Sequence, residues 1–434
     1  VVVLNGLPEG MRGVKRVYDE IHGYIELTKP EIDIVDTPTF QRLRYIKQLA
    51  SAWYVYPGAT HTRFSHSLGV MHIMGIMATK LYREGYIYSK DDVQLLRIVA
   101  LLHDVGHTPF SHAIEPYYSS VNPPLTHEEL TKLIVLRDPY IRSAIEDNGF
   151  DPWSVVAILE GRHREPLFNQ LLSGDLDVDR MDYLLRDALH TGVTYGAIDV
   201  HRIIATITVD REGSLAVAEK GLEALENFYL ARLHMYRAVY YHKSIVGYEL
   251  LVRIIYEKLM ESYRDNVLAS RLATVQGVRK LVEEGKIFFW HDSWFLGLMV
   301  EALEDPSVDN EVKELIRAFL FRRGYKVIVD YSRFSDDELE EDDEEVMKLR
   351  ILSDKLRRYV GGDRSNVMVF IDDIPIITVE EAIRVAMDDG SSISAYNHPR
   401  SLIKFMPRRF HVKRLYVLSS VHRKALQFTK LMQV

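Results

Sequence analysis

The chain has 434 residues, 47% of them apolar and 27% charged, which describes an ordinary globular protein and excludes disorder on the scale of a domain. Its 54 basic and 62 acidic residues give a formal net charge of −8, which disfavours indiscriminate nucleic-acid binding but leaves room for a basic pocket. There is no cysteine, so disulfides and thiolate metal sites are excluded, and a metal must take imidazole, carboxylate, carbonyl or water ligands.

In chain order, the alternation around Ile21-His22-Gly23-Tyr24-Ile25-Glu26-Leu27 predicts a small strand or hairpin within 14–29. Thr37-Pro38 predicts a helix start, a threonine cap followed by proline at the first position, with the helix carrying Phe40, Leu43, Ile46 and Gln48 before Tyr56-Pro57-Gly58. A long helix is expected from Ser65 to Glu84. The next, capped by Asp91-Asp92, runs through the solid apolar stretch Leu95 to Leu102, which implies a buried central helix ending in His103-Asp104. Gly106 and Pro109 interrupt it, and helices resume near 127–137, 151–160, 165–172 and 177–190.

The texture changes at 202–220, where Ile203 to Val209, a turn at Asp210-Arg211-Glu212-Gly213 and Leu215 to Val217 read as strand, turn and strand. Helices are expected again over 221–263, 268–284 and 291–304. Lys326 to Val329, Val367 to Ile371 and Leu415 to Leu418 read as strands with helices between them. The expected fold is mainly α. It comprises a helical catalytic core over 1–310 with short β elements near 17–27 and 202–218, and a small C-terminal α+β domain over 320–434. Asp336 to Glu345 holds nine carboxylates in ten positions, read as a solvated loop or helix start. Arg408-Arg409, Lys413-Arg414 and Arg423-Lys424 form a basic patch with local binding capacity.

No apolar run is long enough to cross a bilayer, and VVVLNGLPEG lacks the basic lead and apolar core of a secretion signal, so a cytoplasmic location is expected. The absence of cysteine together with 25 tyrosines suits a thermophile.

Asp104 directly follows the buried helix, where a lone carboxylate is costly and a metal ion would offset the cost. Adjacent helical residues diverge by about 100°, so His103 and Asp104 grip one ion only at a helix end, which Gly106 supplies. His66, early in its own helix, and one carboxylate of Asp177-Val178-Asp179 would complete a His-His-Asp-Asp set from separate helices. Such ligands suit Mg, Mn, Fe, Ni, Co or Zn without choosing among them. His107, His112 and His127 cluster after the pair and suit a general acid and phosphate-orienting groups. Arg63, Arg180 and Arg232, with Tyr240, His242 and Lys243, are placed for a phosphorylated substrate.

The ordered series DEIHGYIEL (19–27), DTPTFQRLRYIKQL (36–49), YPGATHTRFSHSLGV (56–70), LLHDVGHTPFSH (101–112), THEE (126–129), LDVDRMDYLLRDALHTG (176–192) and AVYYHK (238–243) resembles the HD-domain phosphohydrolases. It resembles specifically their deoxynucleoside triphosphate triphosphohydrolase branch, related to the SAM-and-HD-domain protein but with no SAM domain expected here. The resemblance spans roughly 15–300. It implies metal ligands His66, His103, Asp104 and Asp179, selecting Asp179 over Asp177. It implies that Arg63 contacts phosphate, that His107 and His127 lie near the α-phosphate, and that His112 donates the proton to the leaving group. Arg180, Tyr183, Tyr240 and Arg232 would line the triphosphate and sugar side, and Gln48 and Asp187 would approach the deoxyribose.

The implied reaction converts a dNTP to deoxynucleoside and inorganic triphosphate. It would use one divalent transition metal or Mg/Mn at the HD centre, with Mg or Mn accompanying the triphosphate. The alternatives are another HD-type phosphohydrolase acting on a nucleotide monophosphate or phosphoester, and a nucleotide-sensing or nucleic-acid-binding protein whose metal site is non-catalytic. Lys15, Asp36, Gln41 and Arg44 match a guanine-nucleotide regulatory site, and a dimer or tetramer is implied. The sequence departs from the family at Tyr18, where an amide is expected, at Tyr236, where a substrate-side histidine is expected, and at Ser65, which replaces an acidic neighbour of His66.

Overall fold

The structure, a computed structural model, describes residues 7–263, 266–361, 364–379 and 381–432. Residues 1–6, part of the segment read as lacking a secretion signal, lie outside the described residues. Among the described residues no helix is long and apolar enough to cross a membrane.

The first hairpin forms as expected, Lys15–Asp19 against Gly23–Leu27, with Gly23 at a positive φ of 71° in the turn. A helix not anticipated, Lys29–Val35, follows, opened by a capping box between Thr28 and Glu31. Glu31 is fully buried, and its Oε1 receives Arg97 Nε at 2.6 Å and Gln94 at 2.8 Å. This explains the arginine inside the apolar run of Lys90–Leu102. Burial alone would raise the Glu31 carboxyl, but Arg97 more than reverses that and holds it below the usual range.

Thr37 does cap a helix, but the helix is much shorter than expected. Pro38–Gln41 tightens into a 3-10 turn, Arg42–Tyr45, and the chain becomes extended at Ile46. Lys47 bridges to Thr62 and the Gln48 N–H donates to the His61 carbonyl at 3.0 Å, so Gln48 is placed by this local pairing rather than by a helix. The long helix is Arg63–Arg83, packed on Lys90–Leu102 and on Val178–Thr191. Ser89, rather than the two aspartates, caps Lys90–Leu102, and Asp92 closes its capping box. His127–Arg137, Pro152–Leu159 and Pro166–Ser173 form where expected.

At 202–220 the reading of the first strand is corrected. Val200–Thr206 is helical, because Asp199 caps it and the Thr206 hydroxyl donates back to the Arg202 carbonyl at 2.9 Å. Only Ile207–Val209 is strand, paired antiparallel with Leu215–Ala218. The helices expected over 221–263 are Leu222–Met235 and Lys243–Ser262, joined by a π-helical turn at Tyr236–Tyr240. Val267–Leu272 and Val275–Glu283 are two helices instead of one, and Asn310–Leu320 is a helix the sequence reading passed over.

In the last third, Arg409–Leu418 is the hub of an antiparallel sheet, pairing with Tyr325–Asp330, Arg333–Ser335 and Val367–Pro375. A second sheet joins the two halves of the sequence, since Arg384–Ala386 runs parallel to Leu215–Ala218 and pairs in turn with Ser392–Ser394. Ile374, Ile376, Val385 and Phe410 belong to the same apolar core as the helical body.

The acidic run is more than a solvated surface. Lys413, fully buried, is held by Asp343 and Glu345 at 2.9 and 2.6 Å, and Arg409 by Asp373 at 2.8 Å. With Arg414 on Asp330 at 3.0 Å, three members of the expected basic patch are spent internally.

Candidate metal centre and substrate cavity

Three helix ends meet at one point. His66 lies in the first turn of Arg63–Arg83, His103 and Asp104 follow Lys90–Leu102, and Asp179 lies in the first turn of Val178–Thr191. His66 Nε2 is 3.0 Å from Asp179 Oδ1, 3.2 Å from His103 Nε2 and 3.6 Å from Asp104 Oδ2. His103 Nε2 lies 3.4 Å from Asp104 Oδ1 and 3.6 Å from Asp179 Oδ1. Asp177, the carboxylate that spacing alone left open, caps the helix through the Arg180 N–H and pairs with the Arg180 guanidinium.

The opposite nitrogens of the two imidazoles are already committed. His66 Nδ1 donates to Asp182 at 2.8 Å and His103 Nδ1 to the Ala100 carbonyl at 2.7 Å. In the neutral rings both Nε2 lone pairs therefore face one another beside two carboxylates, an arrangement that calls for a cation. Burial disfavours a charged His66, yet hydrogen bonds that its ring donates to Asp179 and Asp182 push it up to about 10. Asp104, although buried, is held well below the usual carboxylate range by Arg63 and then His103. The donor set fits a divalent ion with mixed nitrogen and oxygen ligands.

Asp182 was not singled out from sequence, though its position one helical turn after Asp179 was a usable signal. It is fully buried and also receives His22 at 2.7 Å and Arg186 at 2.8 Å. Gly69 permits this approach, because a Cβ there would collide with the Asp182 carboxylate and the Arg186 guanidinium. Gly106 likewise lets the loop after His103 pass against the backbone of His127 and Thr131.

Beside the centre, His107 Nε2 is 3.1 Å from Asp104 Oδ1. His107 stacks on His127 with ring centroids 4.3 Å apart, and His112 stands edge-on to both. Glu115, absent from the sequence reading, organises the group. It accepts His112 Nδ1 at 2.9 Å and His127 Nδ1 at 2.8 Å, and also the His127 N–H. Burial would raise this carboxyl, but the two histidines hold it far below its usual value and His127 is raised in return. Burial and then Arg63 push His107 well below the ordinary imidazole range. Arg63 donates to Asp104 and, through Nε at 2.9 Å, to Ser111 Oγ. Phe110 and Ser111 are both left-handed, with φ of 54° and 52°, and the Phe110 N–H is anchored on buried Asp292 at 2.8 Å. Local strain of this kind is characteristic of functional sites.

These groups open onto a cavity of about 520 Å³, within the range of small-molecule sites, whose wall includes Arg63, Asp104, His107, His112, His127 and Asp179. The same wall includes Gln48, Tyr183, Asp187 and Tyr240. Tyr240 donates to Asp187 at 2.9 Å, and Asp187 also meets buried His61 at 2.7 Å. The π-helical turn brings Tyr236 and Tyr240 to the wall together, so the departure at Tyr236 faces the cavity.

Arg180 and Arg232 are not in that wall. Arg180 is drawn to Asp177 and the Gly174 carbonyl, and Arg232 to Asp175 at 3.4 Å. His242 and Lys243 line a separate cavity with Arg237, Arg333 and Arg414. Lys15, Asp36 and Arg44 share a third, of about 170 Å³, and Gln41 adjoins it through a 2.8 Å hydrogen bond from Arg44. Tyr18 is exposed and rests edge-on against Tyr24.

The family model described as the HD domain matches residues 63–187, and the one described as the HD associated region matches 198–282. An uncharacterized protein of Bacillus subtilis is 30% identical over 336 residues, 74% of this chain and 73% of its own. One of Methanocaldococcus jannaschii is 38% identical over 58% of this chain and 51% of its own. The deoxynucleoside triphosphate triphosphohydrolase SAMHD1 of Homo sapiens is 31% identical over 53% of this chain and 42% of its own. The chain thus spans about half the length of the last two. Among solved structures, a phosphohydrolase of Bacteroides thetaiotaomicron superposes with a TM-score of 0.75 at 27% identity, covering 93% of this chain and 99% of that one.

Proposed function

We propose, from the premise that this chain belongs to the HD-domain phosphohydrolase family, that it hydrolyses deoxynucleoside triphosphates to deoxynucleoside and inorganic triphosphate. The observation that carries the reading is a single cavity wall. It joins Asp104 and Asp179, the three histidines, Arg63 and the sugar-sized polar group of Gln48, Tyr183, Asp187 and Tyr240.

His66, His103, Asp104 and Asp179 would hold one divalent ion, which supplies Lewis acidity toward phosphate when bound. In the proposed reaction water attacks the α-phosphorus, the bond from phosphorus to the 5′-oxygen breaks, and triphosphate departs with the new oxygen. His112 is oriented by Glu115 through Nδ1, which leaves its Nε2 to give a proton to the 5′-oxygen. His107 and His127 stabilise charge on the phosphate with Arg63. Arg180 and Arg232 reach the triphosphate by exchanging their carboxylate partners for phosphate, a swap that charge permits. Asp187 and Tyr240 would read the deoxyribose.

In the same reading, Lys15, Asp36, Gln41 and Arg44 take part of a regulatory guanine nucleotide. Their cavity is too small for a whole nucleotide, so a neighbouring subunit of a homo-oligomer would complete it. Residues 1–310 would be the catalytic core and 320–434 an α+β domain that closes its cavity, acting in the cytoplasm.

The test is to incubate metal-loaded protein with each dNTP and NTP, with and without a second nucleotide, and to identify the products. Deoxynucleoside plus intact triphosphate is expected. Release of orthophosphate alone, or inactivity under every condition, overturns the proposal.

A further inference from the structure

One polar group in the cavity wall is without a task. Glu249 lies on the helix Lys243–Ser262, one turn after Ile245, and both face the cavity. Ile245 packs with the apolar Leu49 and Ala52, and Val246 lies in the same wall. Among the described residues Glu249 has no hydrogen bond or ion pair, whereas Asp372, on the same wall, already receives the Tyr241 hydroxyl at 2.9 Å. An unmatched carboxyl on an apolar cavity wall is costly unless a ligand satisfies it.

The phosphate and sugar roles proposed above occupy the histidine group and the Asp187–Tyr240 pair. What remains for Glu249 is the part of a nucleotide that is flat, largely apolar and edged with a few polar atoms. We infer that Glu249 reads the nucleobase, its carboxyl accepting a hydrogen bond from the exocyclic amino group of adenine, cytosine or guanine. Thymine has no such group and presents carbonyl oxygens beside its single N–H. This inference rests on the proposed substrate class and adds a base preference to it.

Charge sharpens the expectation. Burial pushes the Glu249 carboxyl up to about 8. Its charge is felt by the phenols of Tyr241 and Tyr416, Asp372 lies on the same wall, and among the described residues no lysine or arginine pairs with it. Below that pH the protonated acid offers a hydroxyl that tolerates a thymine carbonyl. Above it the carboxylate has only acceptors, so discrimination against thymine widens as pH rises from 7 to 9.

The test measures equilibrium binding of the four deoxynucleosides, which need no cleavage, alongside turnover of the four dNTPs by the same metal-loaded protein. Deoxyadenosine, deoxycytidine and deoxyguanosine are expected to bind about tenfold tighter than thymidine at pH 9, with a smaller ratio at pH 7. In Glu249→Gln the amide both donates and accepts, so the ratio should fall to within about twofold and lose its pH dependence. Glu249→Leu should weaken the amino-bearing nucleosides toward thymidine. Equal binding of thymidine by the wild-type protein, or an unchanged ratio in Glu249→Gln, overturns the inference. Nucleoside discrimination without any dNTP turnover would leave base reading standing and sink the proposed reaction instead.

Discussion

The Nε2 atoms of His66 and His103 face each other across 3.2 Å, while Asp182 and the Ala100 carbonyl hold the far nitrogen of each ring. Two lone pairs held this close repel unless a proton or a metal ion lies between them, and the adjoining Asp104 and Asp179 favour the doubly charged choice.

Purified protein should therefore carry close to one equivalent of divalent metal, counted by elemental analysis. Asp104→Ala should lose both the metal and the turnover, and chelation should abolish activity until metal is restored. Retention of a full equivalent by Asp104→Ala would place the ion elsewhere.

Asp182 would act on a bound ion through its 2.8 Å hydrogen bond with His66. Its replacement by asparagine should weaken metal affinity by about 10- to 100-fold while leaving all four proposed ligands in place. Gly69→Ala, which forces the same carboxylate aside, should move affinity in the same direction. A competition titration with a chromophoric chelator reads both, and unaltered affinity in the two variants would show that the contact orients nothing.

The Glu115–His127 contact has a definite pH signature. The Glu115 carboxyl is depressed in the fold, so its contribution is present above its unfolded value of about 4.3 and fades as pH falls. His127 is raised, so its contribution is present below about 6.5 and fades as pH climbs through the folded value. The difference in Tm between wild type and Glu115→Gln should be largest between those limits and shrink on both sides. Catalysis should fall by roughly 10² in the variant as His112 loses its orientation. A Tm difference that is flat with pH would argue against the pairing.

Arg97 and Glu31 are both almost fully buried. Removing one partner should destabilise the protein by about 3–5 kcal/mol, because the survivor is left as a buried charge without its counter-charge, whereas replacing both with methionine should recover most of the loss. Denaturant titration of the four species closes the cycle, and additive effects would mean that the two do not interact.

Much of the helical core was legible because the apolar spacing, the caps and the glycines agreed with one another. Thr37, His127 and the run Leu95–Leu102 begin or fill helices as read. Readings failed where side-chain hydrogen bonds decided the backbone. Asp199 and Thr206 turned an apparent strand of β-branched residues into helix, and the Lys47–Thr62 bridge took Gln48 off its expected helix. The candidate site was legible as a list of residues, many of which the fold brings together, but less so as an arrangement. Glu115 and Asp182 gain meaning only when distant segments meet, and Arg180 and Arg232 turn to carboxylates whose proximity no spacing encodes.

The strand Arg409–Leu418 pairs with Tyr325–Asp330, Arg333–Ser335 and Val367–Pro375, and it is the last of the four to be synthesised. The earlier three have no sheet to join until it leaves the ribosome. Every proposed metal ligand emerges long before it, so a nascent chain holds the materials of the metal centre while the Phe370 and Asp372 side of the cavity is still missing. Order of synthesis thus delays completion of this cavity until Arg409–Leu418 has been made.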